Sequence, residues 1–120
     1  MVTILVIDDE EMFRRLLSKL IENAGHAAVQ AADGATGLSL ARDTVPDLIV
    51  TDMSMPGMTG FELIRALRRD PATKDIPVVV ASAHETAEDR DEAFEAGCDD
   101  YIEKAVSPEK LIAQVLGALP

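Results

Sequence analysis

The sequence predicts an α/β fold, a five-stranded parallel sheet doubly wound with helices on both faces. Three observations predict it. Short apolar runs alternate strictly with longer stretches of helical period, five of each. The strongest of these runs are continuous in hydrophobicity, as expected of strands buried on both faces. The chain has 120 residues, enough for one domain whose core needs neither disulfide nor metal.

The elements follow in order. "VTILVI" (2–7) is β-branched and continuous, hence a strand. Phe13, Leu16, Leu17, Leu20, Ile21 and Ala24 then recur with a helix period, and Gly25 ends that helix. "AAVQA" (27–31) reads as a weaker strand. Asp33 is placed to cap a short helix through about Arg42, with Leu38 and Ala41 inward. Val45-Pro46 breaks it, and "DLIVT" (47–51) is again a continuous apolar strand.

"SMPGMTG" (54–60) is a loop by its proline and glycine content. Phe61, Ile64 and Leu67 mark a third helix that stops near Asp70-Pro71. "IPVVVAS" (76–82) is the most strand-like run of the chain. The acidic segment 86–96 reads as a helix with a thin apolar face of Ala93, Phe94 and Ala96, closed by Gly97. "DYIEK" (100–104) is a short strand. Ser107-Pro108 starts the last helix, with Leu111, Ile112, Val115, Leu116 and Leu119 as its apolar set.

Right-handed crossovers limit the topologies such an alternation can take. At this size the common solution is the flavodoxin-like strand order 2-1-3-4-5. Its ligand site lies outside the carboxyl ends of the strands, where the order reverses between strands 1 and 3. Residues 1–120 are expected to form a single domain.

The formal net charge is −11, which opposes direct binding of nucleic acid and favours partners or ligands that bring positive charge. No apolar run approaches the roughly 18 residues of a membrane span, and no basic segment leads into a long apolar one. The single cysteine, Cys98, has no internal partner, so a cytoplasmic, reducing location is expected. Residues 85–103 carry nine acids against Arg90. Such a run reads first as a solvated face and second as a docking surface.

Taken singly, Asp8 and Asp9 read as turn and cap residues, Lys104 as a surface charge, Ser82 as a strand end and Tyr101 as core or rim. Their common position on one rim changes that reading. Asp8 and Asp9 follow strand 1 and Asp52 follows strand 3, so the topology brings three carboxylates to the switch point. Such crowding calls for a cation, and an oxygen-only set suits a hard divalent ion, Mg²⁺ or Mn²⁺. Ser82 ends strand 4 and Lys104 ends strand 5, adding a hydroxyl and an ammonium. Acids, metal, hydroxyl and ammonium around one pocket suit a phosphoryl group, with the central Asp52 as the nucleophile.

The segments "VIDDE" (6–10), "DLIVTDMSMPGMTGFEL" (47–63), "VVVASA" (78–83) and "AGCDDYIEK" (96–104) resemble, in order and spacing, the receiver domains of bacterial two-component response regulators, chemotaxis-regulator-like in extent. The resemblance covers essentially the whole chain. It implies that Asp52 accepts a phosphoryl group from a histidine kinase or a histidine phosphotransfer protein. It implies that Asp9, Asp52 and the Ser54 backbone carbonyl ligate the metal, with Asp8 acting through water. Ser82 and Tyr101 then correspond to the switch hydroxyl and switch aromatic, and Lys104 to the conserved lysine of the site. The implied output surface is helix 4, strand 5 and helix 5, acting on a downstream protein or output domain. The implied role is a regulatory switch rather than an enzyme with a substrate of its own.

The sequence departs from the pattern in places. Ala105 stands where the family usually has proline, often after a cis peptide, so a trans Lys104–Ala105 bond is expected. Thr59 replaces a common acid, and Ser54 and His84 occupy positions that, by resemblance, tune the lifetime of the phosphate. Glu10 and Glu11 are expected in the first turn of helix 1, and Arg14, Arg15, Ser18 and Lys19 on its exposed side, which reads by resemblance as a docking face for the phosphodonor and otherwise as a solvated face. Two other functions stay open. One is a degenerate receiver acting as a phosphorylation-independent interaction module. The other is a small aspartate-nucleophile phosphatase, although Met53 and Ser54 do not supply the Asp-x-Asp-x-Thr signature of one large group of these.

Overall fold

A computed structural model of the chain describes residues 2–83 and 86–120. His84 and Glu85 lie outside the described residues. Five strands and five helices alternate: β1 Thr3–Ile7, α1 Glu11–Asn23, β2 Ala27–Ala31, α2 Gly34–Thr44, β3 Leu48–Thr51, α3 Gly60–Arg69, β4 Val78–Ser82, α4 Ala87–Ala96, β5 Asp100–Glu103 and α5 Pro108–Gly117. The sheet is parallel throughout in the order β2-β1-β3-β4-β5, as the alternation predicts.

The strand alternation explains why the central strands are apolar without a break. Ile4, Val6, Leu48, Val50, Val79, Ala81 and Ile102 face α1 and α5, against Phe13, Leu17, Ile21, Leu111 and Val115. Leu5, Ile7, Ile49, Val78, Val80 and Tyr101 face the other layer, against Leu38, Ala41, Leu63, Ile64, Leu67, Ala93 and Ala96. Ile4 to Ile7 are wholly buried. Burying a side chain of this size stabilises the fold by about 1.5–3 kcal/mol, which is what holds β1 at the centre.

Helix ends follow their sequence signals. Asp33, Thr59, Thr86 and Ser107 each accept a backbone N–H at a helix start, and Thr59 with Glu62 completes a capping box. These bonds hold the carboxyls of Asp33 and Glu62 below their ordinary pKa. Gly25 and Gly97 leave α1 and α4 with φ of +90° and +118°, where a side chain would be strained. Gly37 lets α2 lie against Ile7, because an added Cβ would collide with that side chain. Cys98 is buried, and burial together with Asp99 and Asp100 pushes its thiol up to about 11, so it stays inert near neutral pH.

Several expectations are corrected. Leu16 and Phe94 are each 44% exposed, so neither belongs to the inward face assigned to it. Ser18 is buried, not exposed, and Ala24 is an exposed cap. Glu10 is the cap residue of α1 rather than part of its first turn, while Glu11 is the first helical residue. α2 runs on to Thr44, and Lys104 falls just past β5. The Lys104–Ala105 peptide is trans, as expected: the described backbone has no cis bond. Among the described residues, no helix is long and apolar enough to cross a membrane.

At the amino ends of β4 and β5 a single side chain ties together the two connections that lead into these strands. Arg68 donates to the carbonyls of Gly97 (2.9 Å), Lys74 (2.9 Å) and Ile76 (2.6 Å) and to Asp99 Oδ2 (2.9 Å). Asp99 Oδ2 also accepts the Val78 N–H at 2.8 Å. Arg68→Ala is expected to cost about 2 kcal/mol, since it strips charged donors from partly buried carbonyls. Urea unfolding should show a lower midpoint at unchanged slope. Arg68→Lys should recover less than half of the loss, because an ammonium lacks the planar fork; full recovery by lysine would sink this account.

Candidate functional site

The site forms where three strands end. β1 and β3 are neighbours with Ile7 beside Thr51, so the residues that follow them, Asp8 and Asp52, emerge side by side. The Asp52 N–H bonds to the Ile7 carbonyl at 3.1 Å, and the Asp8 N–H to that of Ala31 at 3.0 Å. One carboxylate oxygen from each of Asp8, Asp9 and Asp52 lies within 4.8 Å of the others. Asp8 is buried, Asp52 half-buried and Asp9 exposed.

Each acid is held differently. Asp8 Oδ1 accepts the Glu10 N–H at 2.9 Å, and its backbone carbonyl accepts Arg14 Nη1 at 2.9 Å. Asp52 Oδ1 accepts the N–H of Met53 at 2.7 Å. Arg14 also donates to Gln30 at 3.2 Å, so it braces the end of β1 and does not join Arg15 and Lys19 on an open face. The loop after β3 closes tightly on Asp52. Gly60 donates to the Met53 carbonyl at 2.9 Å, and a Cβ on Gly60 would run into the Asp52 carbonyl and Met53 Cα. The sequence showed Gly60 only as a loop glycine; this close approach depends on tertiary packing.

Lys104 reaches into the cluster from beyond β5. Its Nζ lies 2.7 Å from Asp8 Oδ2, 3.2 Å from Asp52 Oδ2 and 4.0 Å from Glu10 Oε1. Burial would lower its pKa, but the hydrogen bond and charge of Asp8, with Asp52, outweigh burial and the ammonium is raised. Asp8 is raised as well: burial dominates, and the lysine only partly offsets it. Among the described residues, the Lys104 ammonium pairs with two of the three clustered carboxylates, Asp8 and Asp52. Two charges 4.8 Å apart repel by about 3 kcal/mol at an effective dielectric near 20. The donor set is all oxygen, converging and under-neutralised, and it fits a hard divalent cation.

Ser82 ends β4 and is nearly buried. It lines a cavity of about 130 Å³ with Asp52, Met53, Ser54, Phe61 and Tyr101. Asp89 of α4 lines the same cavity, a participant the sequence reading did not single out. Tyr101 is 3% exposed, with the Arg90 guanidinium 5.4 Å from its ring centre. Ser54 is exposed, two residues past Asp52. His84, assigned a tuning role by resemblance, lies outside the described residues. All the other candidate residues surround or adjoin one rim.

The sequence from residue 4 to 116 matches the model of the response regulator receiver domain. The chain belongs to that family. Receiver domains are regulatory modules of two-component systems, and this membership accounts for both the topology and the acidic rim. Among curated relatives, the chain is 37% identical over 117 residues to the phosphate regulon transcriptional regulatory protein PhoB of Pseudomonas aeruginosa, covering 98% of this chain and 51% of that protein. It is 40% identical over 116 residues to the DNA-binding dual master transcriptional regulator RpaA of Synechocystis, covering 97% and 48%. The chain thus spans about half the length of these relatives. Among solved structures, the Vibrio cholerae chemotaxis protein CheY4 superposes with a TM-score of 0.93 at 30% identity, covering 99% of each chain.

The crowding of acids makes a measurable prediction. Asp52→Asn is expected to raise the thermal midpoint in EDTA by a few degrees, about 1 kcal/mol, because relief of repulsion exceeds the lost Lys104 contact. Mg²⁺ should raise the midpoint of the wild type and do so much less for the variant. Calorimetry with EDTA and with MgCl₂ checks both. A wild type indifferent to Mg²⁺ and a variant no more stable in EDTA would contradict the account.

Proposed function

We propose that this domain is a phosphorylation-activated switch in which Asp52 accepts a phosphoryl group. The observation that carries the reading is the placement of Asp52: it sits between Asp8 and Asp9 on one side and the cavity of Ser82 and Tyr101 on the other, under the Lys104 ammonium. A carboxylate so placed can attack phosphorus while cations balance the phosphoryl oxygens. Asp9, Asp52 and the Ser54 carbonyl would hold Mg²⁺ or Mn²⁺, with Asp8 acting through water, and the ion would supply positive charge to those oxygens. The donor is a phosphohistidine of a kinase or phosphotransfer protein. The P–N bond breaks as an Asp52 oxygen bonds to phosphorus, leaving an aspartyl phosphate and a free imidazole.

The donor would dock beside the rim. Beside the rim, Met12 and Leu16 of α1 are exposed and, with Phe13, Ala83 and Ala105, form an apolar surface next to Lys104. The output face is α4, β5 and α5. Its groove of about 540 Å³ is lined by Arg90, Tyr101, Glu103, Val106 and Lys110. Ser82 moving toward a phosphoryl group enlarges or shrinks the cavity beneath Tyr101 and so biases the neighbouring α4–β5 surface. The 120 residues act as one receiver unit, regulating a downstream protein or an output domain.

Incubation with acetyl phosphate and Mg²⁺, followed by intact mass, tests the reading. The wild type should gain the mass of one phosphoryl group, sensitive to EDTA and to hydroxylamine. Asp52→Asn should gain none. A wild type that gains nothing, or a variant that gains as much, rejects Asp52 as acceptor.

A further inference from the structure

Lys104 has a neighbour of a different kind from its carboxylates. Phe13, the third residue of α1, presents its ring to the ammonium, with Nζ 4.6 Å from the ring centre. Both groups are almost fully buried: the Lys104 side chain is 8% exposed and Phe13 7%. The ring therefore lies against the ammonium where water would otherwise compete for it. A cation at this distance over an aromatic face is attracted by the ring quadrupole, and more strongly when desolvated.

The other holds on Lys104 are less constant. Its backbone is tied at the N–H, which donates to the Ser82 carbonyl at 3.0 Å, and the chain then runs into an irregular, exposed turn at Ala105. Its two close anionic partners, Asp8 and Asp52, both belong to the acidic cluster. Any cation taken up there shares their charge and weakens their pull on the lysine. The ring contact carries no net charge and does not weaken in this way. Phe13 is also fixed from behind, since it packs in the core layer of Leu17 and Leu111.

We propose that Phe13 is a positioning residue for phosphoryl transfer: its ring face holds the Lys104 ammonium between Asp8 and Asp52, where it meets the incoming phosphoryl group. The proposal rests on the assignment of Asp52 as acceptor. Nothing in the reading of α1 as a helix with an apolar face separates this role from simple packing, and the chemistry of the ring does.

The test uses the full chain with mono-, di- and trifluorinated phenylalanine at position 13, together with Phe13→Leu and Phe13→Trp. Fluorine drains the ring quadrupole while nearly preserving shape. The rate of aspartyl-phosphate formation from acetyl phosphate at saturating Mg²⁺ should fall stepwise along the fluorinated series. It should fall about fivefold in Phe13→Leu and recover in Phe13→Trp, with the half-saturating Mg²⁺ concentration unchanged throughout. Ring-current shifts of the Lys104 Hε protons should vanish in Phe13→Leu. A flat rate across the fluorinated series, in protein that is phosphorylated at Asp52, overturns the proposal. If the wild type takes up no phosphate, the Asp52 assignment fails instead. The ring contact is then judged by the Hε shifts and by thermal midpoints of Phe13→Leu, Lys104→Met and the double variant. Unshifted protons with additive midpoints overturn it, and shifted protons with non-additive midpoints uphold it.

Discussion

The ion pair of Lys104 with Asp8, at 2.7 Å, is the contact on which site and sheet jointly depend. A buried carboxylate is costly unless paired, and Asp8 is 1% exposed. Its partner comes from the far side of the sheet. β5 is separated from β1 by β3 and β4, so the lysine must reach across the ends of both. The chain makes room for that crossing with small residues, Ser82 and Ala83, at the end of β4. A four-carbon stem suits the span, and the Ser82 carbonyl anchors its root. The pair thus requires the strand order, and the strand order leaves Asp8 no nearer lysine.

The same geometry links the rim to a distant face. Strand alternation turns Tyr101 toward α2, α3 and α4 and Ile102 toward α1 and α5. Tyr101 therefore ends beside the cavity that Asp52 and Ser82 share, while its other neighbour is Arg90 of α4. A change in charge and size at the proposed acceptor has a short physical route to the α4–β5–α5 groove. That route is a shared cavity wall followed by a packed ring, and it needs no movement of the sheet.

Most of this plan was legible in the sequence because it is written in local terms. Continuous apolar runs marked the strands, Asp33 and Ser107 marked two helix starts, and strict alternation with a crossover rule brought Asp8, Asp9 and Asp52 together. What was not legible depends on where side chains point. Arg14 and Ser18 are both polar residues on α1, and periodicity alone gave them the same exposed side. In the structure Arg14 folds back on the Asp8 carbonyl while Ser18 is buried. Leu16 and Phe94 sit at apolar helical positions but face solvent, because the layer below is already filled by Leu17 and by Ala93 and Ala96. Gly37 and Gly60 look like ordinary glycines until Ile7 and Asp52 are found against them. Phe13 read as one more core position, and its ring contact with Lys104 exists only because the lysine reaches back from beyond β5 across the strand ends toward α1.

The acidic rim is tolerable because the rest of the molecule stabilises it. β1, β3 and β4 are buried on both faces, and Arg68 binds the opposite end of the sheet through four acceptors. Stability held there is free of the chemistry at the rim. The carboxylates can then remain under-neutralised, with Lys104 as their close ammonium, without unfolding the domain. That residual charge has a direct physical consequence. A rim already balanced by its own lysines would gain little from a cation and would repel a phosphoryl group less selectively. Here positive charge taken up at the rim relieves the repulsion among Asp8, Asp9 and Asp52, whereas an anion arriving without it would add to that repulsion.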